Sequence, residues 1–347
     1  SIANFLHGLA SSVTGLGIFR FLLGLGEGGA FPGSAKVVSE WFPQSERSTA
    51  FGIFNTGSSV GAVIAPPLIA GLIVAFGNWR WVFFATGLFG IVWAALWWKS
   101  YAAPANHPWI TASERKYLQG TIPAELPPAP YWQYFRYLPV WGLMIAKFLT
   151  DSAWFFFIFW LPRYLGEVRG LNIQQIGYYA WIPYMFAGFG SLSGGALSSY
   201  LLRRGVSLDV ARKFPLGLSA ALMPISLLIV SAPLSLAIIF FSVALFAHQF
   251  WSTIVQTLVT DFFEPRSVGS VAGILGAVGS FGAMLFSLLV GTLVSQFHGY
   301  GVVFAIAGLL HPISLFIVLA TAGRIERLDA VTEPIQELSC HTNSQIK

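Results

Sequence analysis

Apolar residues run along this chain in blocks of about 20 or more, parted by short polar, glycine- or proline-bearing stretches. The pattern predicts helices near 15–40, 48–76, 79–100, 138–165, 174–202, 211–231, 234–261, 268–297 and 300–322, nine full spans in all. Residues 1–11 read as the last turns of another helix. They begin mid-run at Ser1 with no basic region ahead of them, which predicts a missing N-terminal part and argues against a secretory signal. The one long break, 102–137, is rich in proline and reads as a linker between two bundles. Within it, Thr111 and Glu114 have the T-x-x-E spacing of a capping box, with Gly120 as a stop, so a short helix is predicted there.

Composition narrows the class further. With 55% hydrophobic and only 10% charged residues, the chain cannot dress a surface in water on all sides. The fold class that follows is an all-α polytopic membrane protein. If the loop after 15–40 is cytoplasmic, that side collects Arg47, Lys99, Arg115, Lys116, Arg136, Arg203, Arg204, Arg212, Lys213, Arg266, Arg324, Arg327 and Lys347. The other side holds Arg80, Arg163 and Arg169, a bias that puts the C-terminus in the cytoplasm. The net charge of +5 is scattered over helix ends and gives no nucleic-acid signal. The lone cysteine, Cys340, excludes disulfides and a cysteine-rich metal site.

An internal repeat gives the architecture. At an offset of 221 residues, 52–88 align without a gap on 273–309: Gly52, Ser59, Gly61, Phe76, Phe83 and Gly87 recur as Gly273, Ser280, Gly282, Phe297, Phe304 and Gly308. Parallel repeats joined by a cytoplasmic linker are the plan of the major facilitator fold, two pseudosymmetric six-helix bundles. On that plan the first two helices and most of the third are missing. Residues 1–101 are the remainder of the N-terminal bundle, 102–137 the linker, 138–322 the C-terminal bundle and 323–347 a cytoplasmic tail. The same offset sets Glu27 opposite His248, so both are expected to approach a central cavity.

Arg20 and Glu27 are seven apart and share a helix face. Charges within a span are expensive and usually face protein or a wet cavity. Arginine can bind both oxygens of a carboxylate, and a half-dry glutamate can exchange a proton. Arg20 is therefore a candidate for an anionic substrate and Glu27 for the coupling proton; the alternative is a structural ion pair. Lys36, on the opposite face near a helix end, is expected to snorkel. Lys147 and Asp151 form an i, i+4 pair that is either fixed or part of a polar cavity wall. His248, Gln249, Ser252 and Gln256 make a polar run, with Trp154 and Trp251 as platforms for a sugar-like ring. Asn55, Ser58 and Ser59 fit either cavity hydrogen bonds or close packing. His311, before Pro312, reads as a histidine satisfying the broken backbone ladder. Gly24, Gly26 and Gly29 spell G-x-G-x-x-G with no strand before them, so they bind no dinucleotide; with Gly28 and Gly33 they are expected to let helices approach closely.

The stretch Arg20-Phe-Leu-Leu-Gly-Leu-Gly-Glu27-Gly-Gly-Ala-Phe-Pro32-Gly, with Ser39-Glu-Trp-Phe-Pro43 and Glu46-Arg47, resembles the fourth helix and following loop of the anion:cation symporter family of the major facilitator superfamily. Phe54-Asn-Thr-Gly-Ser-Ser59 with Ala65-Pro-Pro67, Ala180-Trp-Ile-Pro183, Ala211-Arg-Lys213 and Phe246-Ala-His-Gln249 are most similar to the hexuronate transporters of Gram-negative bacteria. The resemblance implies proton-driven import of an organic anion, a hexuronate or related sugar acid, with Arg20 and Glu27 at matching positions. It also implies a monomer in the bacterial inner membrane, with a small organic anion and the lipid bilayer as partners, no nucleic acid, and no cofactor or metal beyond the coupling proton. Close relatives carry galactonate, glucarate, tartrate or phthalate with similar signatures. Export of another metabolite or drug is the alternative within the class. A channel, or a membrane enzyme acting on a lipid-linked substrate, is the alternative outside it; no nucleophile, metal cluster or carboxylate pair near an interface stands out for the enzyme.

Overall fold

The computed structural model describes residues 1–104, 106–118, 130–297 and 299–328, and among them the chain is helical with no strand. The first part holds α1 (Ile2–His7), α2 (Val13–Glu27), α3 (Ala30–Trp41), α4 (Gln44–Phe76) and α5 (Arg80–Ser100). A short α6 (Ala112–Tyr117) and a 3₁₀ turn (Tyr131–Arg136) lie in the linker. The second part holds α7 (Leu138–Glu167), α8 (Ile173–Arg203), α9 (Leu208–Leu222), α10 (Leu234–Phe262), α11 (Pro265–Gln296) and α12 (Gly301–Ala322). The side chains of Pro66 and Pro67, linker residues 119–129 with the expected stop Gly120, and tail residues 329–347 with Cys340 and Lys347 fall outside what is described.

The 221-residue offset read in the sequence holds for the helices themselves. Shifted by it, α4 falls on 265–297, beside α11, and α5 falls on 301–321, beside α12. The start of α2 and the end of α3 coincide with the two ends of α10. Two expected spans differ in form. The span at 15–40 is broken at Gly28–Gly29, because Pro32 has no N–H for the Gly28 carbonyl and its ring crowds the preceding turn. The span at 211–231 is helical only to Leu222 and tightens into a 3₁₀ turn (Met223–Leu228), with Pro224 at its start. Among the described residues, five helices are long and apolar enough to cross a membrane by length and composition alone: α5, α7, α10, α11 and α12. The linker capping box closes in both directions, Thr111 Oγ1 accepting from the Glu114 N–H and Glu114 Oε2 from the Thr111 N–H.

Large apolar side chains cover the outside, among them Phe89, Trp98 and Phe316, as suits a lipid solvent. The interior holds two apolar clusters, the first of which also takes in Val38 and Phe51 from the first half. One, toward the linker, includes Val140, Leu143, Leu258, Phe262 and Val318. The other, toward the opposite end, includes Phe156, Phe157, Phe241 and Phe304. Between them three helices change character at the same depth: Lys147 to Ser152 on α7, His248 to Thr253 on α10, His311 and Ser314 on α12. A polar layer at mid-depth costs free energy in an apolar bundle and positions the site.

The halves meet where α4 packs on α8 and α10, and α3 on α11. Glycine makes the approach possible: a Cβ on Gly195 would collide with the Ser48 carbonyl, and one on Gly52 with that of Ser191. The glycines expected to serve this purpose do not. A Cβ on Gly24, Gly26, Gly29 or Gly33 would meet nothing nearby, and one on Gly28 only carbonyls of its own helix; α2 is exposed and packs chiefly on α1, and Gly33 lies on a face of α3 that is turned away from its neighbours.

At the linker end a buried charged clasp joins the halves. Arg212 Nε donates to Asp261 Oδ2 at 2.7 Å and its Nη1 to Ser198 Oγ at 2.6 Å. Gln44 donates to Asp261 Oδ1, and Arg47 donates to the carbonyls of Phe42, Thr260 and Ser39. Among the described residues, every hydrogen bond between the two bundles involves α4 between Gln44 and Thr56. The interface is thus tied from the linker end to the depth of the polar layer.

Candidate functional site

A cavity of about 190 Å³ lies at the depth of the polar layer. Both halves line it: Phe31 and Ala35 from α3, Asn55 and Ser58 from α4, and residues of α7, α10 and α11 from the other side. On α10 the wall is His248, Gln249, Ser252, Val255, Gln256 and Val259, one stripe at helical spacing. On α11 it is Ala272, Leu275, Gly276 and Ser280, another such stripe.

Lys147 and Asp151 stand on the α7 wall as an ion pair, with Nζ 2.7 Å from Oδ2 and 2.9 Å from Oδ1. Their side chains are 16% and 12% exposed, so the pair is held together and yet open to the cavity. Asp151 lies against Gly279 of α11, where a Cβ would displace it. One turn along α7, Trp154 stacks on His248 with ring centroids 4.8 Å apart and planes 12° apart. Asn55 crosses between the bundles, donating to Thr253 Oγ1 at 3.3 Å and accepting from Gln256 Nε2 at 3.4 Å. Ser59, by contrast, points into the packing against Gly188. Chemically the site offers a cation, a carboxylate, amide and hydroxyl groups and a flat aromatic wall. That set suits a small polar molecule with several oxygens and one negative charge.

Of the residues singled out in the sequence, the structure gathers Asn55, Ser58, Lys147, Asp151, Trp154, His248 and Gln249 around this cavity. Trp251 is elsewhere. It falls off the α10 stripe, is buried, and turns its ring toward His311 of α12 at 5.6 Å. Arg20 and Glu27 are not brought to the cavity either. Both are exposed on α2 without a hydrogen bond or ion pair among the described residues, and Glu27 lines a separate, more open recess of about 520 Å³ with Asn4, Leu23 and Thr86. The repeat equates Glu27 with His248, but around His248 α10 is enclosed by neighbouring helices while α2 packs chiefly on α1. Lys36 is largely exposed, with Glu40 3.8 Å away. His311 does not serve the ladder opened by Pro312; its Nε2 meets His248 Nδ1 at 3.1 Å. Phe31, Phe155 and Ser280 line the cavity without having been expected. Ser280 carried one signal, its place in a small-residue stripe at helical spacing.

A profile of the Major Facilitator Superfamily matches residues 1–247. The hexuronate transporter of Escherichia coli (strain K12) is 36% identical over 276 residues, 77% of this chain and 63% of that protein. The galacturonate transporter of Dickeya chrysanthemi is 35% identical over 221 residues, 62% of this chain and 64% of that one. The probable galactarate/D-glucarate transporter of Bacillus subtilis (strain 168) is 32% identical over 272 residues, 73% and 58% respectively. The chain thus spans somewhat under two thirds of these relatives' length. Among solved structures, the proton:xylose symporter bound to 6-bromo-6-deoxy-D-glucose superposes with a TM-score of 0.71 at 15% identity, over 94% of this chain and 79% of that one, a likeness of fold.

Proposed function

The chain belongs to the Major Facilitator Superfamily, and from that premise we propose that it forms the substrate-binding part of a secondary transporter that imports a hexuronate or related sugar acid with a proton. The observation that carries this reading is the mid-depth cavity shared by both bundles, with the Lys147–Asp151 pair and the Trp154–His248 stack on its wall. The names of the relatives supply the substrate class.

An incoming carboxylate competes with Asp151 for the Lys147 ammonium. Protonation of Asp151 would free the ammonium for the substrate, which couples anion binding to proton uptake at one place. Arg20 and Glu27 are the other charged candidates, for binding and coupling respectively; the geometry favours Lys147 and Asp151, which face the cavity together. The clasp at the linker end suits a carrier closed toward the cytoplasm, and alternating access would require Arg212, Asp261 and Gln44 to part. The protein would then sit in the bacterial inner membrane with its C-terminus in the cytoplasm and work as a monomer.

The test is uptake of labelled galacturonate by the protein in proteoliposomes under an inward proton gradient. Accumulation is expected, with competition by glucuronate and none by neutral galactose. Asp151→Asn should abolish gradient-driven accumulation while substrate exchange persists, because exchange needs a loaded carrier but no proton release. If Glu27→Gln instead gives that split and Asp151→Asn does not, coupling belongs to Glu27. Uptake of neutral sugars with none of sugar acids would overturn the anion reading.

A further inference from the structure

The polar layer holds a buried histidine pair whose hydrogen-bonding capacity is only half used. His248 Nδ1 and His311 Nε2 are 3.1 Å apart, and both residues are buried. One of the two nitrogens carries the hydrogen. His311 Nδ1 and Trp251 Nε1 are buried in the same layer without a hydrogen-bond partner among the described residues. His248 Nε2 makes no hydrogen bond among the described residues, and its ring lines the cavity.

We propose that His311 is a positioning residue that holds His248 in the tautomer protonated at Nε2, so that the cavity presents an N–H donor to an oxygen of the bound sugar acid. The identity of the ligand rests on the function proposed above; the tautomer does not.

The argument is one of donors and acceptors. If His248 carried its hydrogen on Nδ1 and donated to His311, neutral His311 would carry its own on Nδ1, a buried N–H with no acceptor. An orphaned buried donor is the rarer and costlier defect. The indole N–H of Trp251 can only donate, and its ring stands edge-to-face to His311 at 74°. With Nδ1 of His311 bare, the second unpartnered donor is the Nε2–H of His248, whose ring borders the cavity, rather than a fully enclosed Nδ1–H of His311 beside the indole N–H. In that arrangement His311 Nε2–H donates to His248 Nδ1, and the hydrogen of His248 sits on Nε2.

The ring is then fixed in two ways, by the stack with Trp154 and by the bond from His311, so its N–H has one direction in which to point. The Lys147 ammonium on the same cavity is also a donor that cannot accept. Two donors on neighbouring walls favour a ligand rich in acceptor oxygens, which a sugar acid is and an amine is not. His311 therefore acts on specificity without touching the ligand.

The experiment is ¹⁵N spectroscopy of histidine-labelled protein without ligand, with His248→Gln used to assign the signals. His248 is expected to show an imine-type Nδ1 and a protonated Nε2. His311→Gln keeps an N–H in reach of His248 and should preserve both this signature and galacturonate affinity. His311→Leu should give mixed tautomers and weaken galacturonate binding roughly fivefold to tenfold, the worth of one misdirected hydrogen bond. Protonation at Nδ1 in the unaltered protein overturns the proposal, and that measurement stands even if His311→Leu does not fold. Equal weakening by His311→Gln and His311→Leu overturns it as well, because it marks a purely structural histidine. Failure of galacturonate to bind the unaltered protein, with Nε2 protonated as expected, would overturn the hexuronate reading alone.

Discussion

Lys147 and Asp151 show at the scale of single residues how a costly arrangement is kept. Each charge is shielded from water by the bundle and compensated by the other at 2.7 Å. Removing one partner leaves the second uncompensated. Lys147→Met and Asp151→Asn should each lower stability by about 1–3 kcal/mol, less than the ~3–5 kcal/mol of a fully enclosed pair because these side chains border a cavity. The double variant should recover most of the stability in thermal unfolding and none of the uptake; recovery of both would make the pair a packing device. Tyr101, just past the end of α5, offers a second test. Burial and the neighbouring Glu40 carboxylate, to which its hydroxyl donates, push it up to about 12 from 10.0. A raised value means the fold favours the neutral phenol, so its contribution is complete below pH 10 and is lost as pH climbs toward 12. Unfolding temperature against pH should therefore fall less steeply over that window in Tyr101→Phe.

Helices are joined here by backbone as much as by side chains. Gly195 of α8 lies against the Ser48 carbonyl of α4, and Gly190 against that of Phe246 on α10. A methyl group at either place must push two helices apart. Gly195→Ala is expected to cost about 1–3 kcal/mol, the usual range for overpacking. Gly217 of α9 has open space where its Cβ would be, so Gly217→Ala should be neutral or stabilise by up to ~1 kcal/mol through helix propensity. Comparing the two by thermal unfolding separates contact from propensity. The same change would be read off the sequence as one kind of event, since a glycine stripe looks alike whether its neighbour is another backbone or a lipid chain.

Across the whole molecule, the hydrogen bonds between the bundles gather on one stretch of α4, from Gln44 to Thr56. Arg212 anchors this clasp with its side chain wholly buried against Asp261, Ser198 and the Gln44 carbonyl. Arg212→Ala leaves the Asp261 carboxylate unpaired and should cost about 3–5 kcal/mol. Hydrogen exchange should localise the effect: amides of 44–56 and 257–262 lose protection, while those of the aromatic cluster around Phe241 and Phe304 keep theirs. A uniform loss of protection would mean that the residue supports the fold as a whole and no particular interface.

Periodicity, composition and the 221-residue repeat determined the all-helical class, the two-bundle plan and most helix bounds, because in lipid every backbone group must be satisfied within its own helix. The linker capping box was legible for the same reason, being a contact between residues three apart. Much of the site was legible too: a polar side chain in an apolar helix is expensive, and Lys147, Asp151, His248 and Gln249 stood out on that ground alone. Which polar residues share a cavity was decided by rotation and neighbours. Trp251 lies three residues from His248 and faces another helix, Ser280 joined the wall from a stripe that looked like packing, and Arg20 and Glu27 share a face that meets no wall of the cavity. His311 found its partner 63 residues away on another helix. Spacing along one helix fixes which residues share a face; what that face meets depends on how the other helices pack around it.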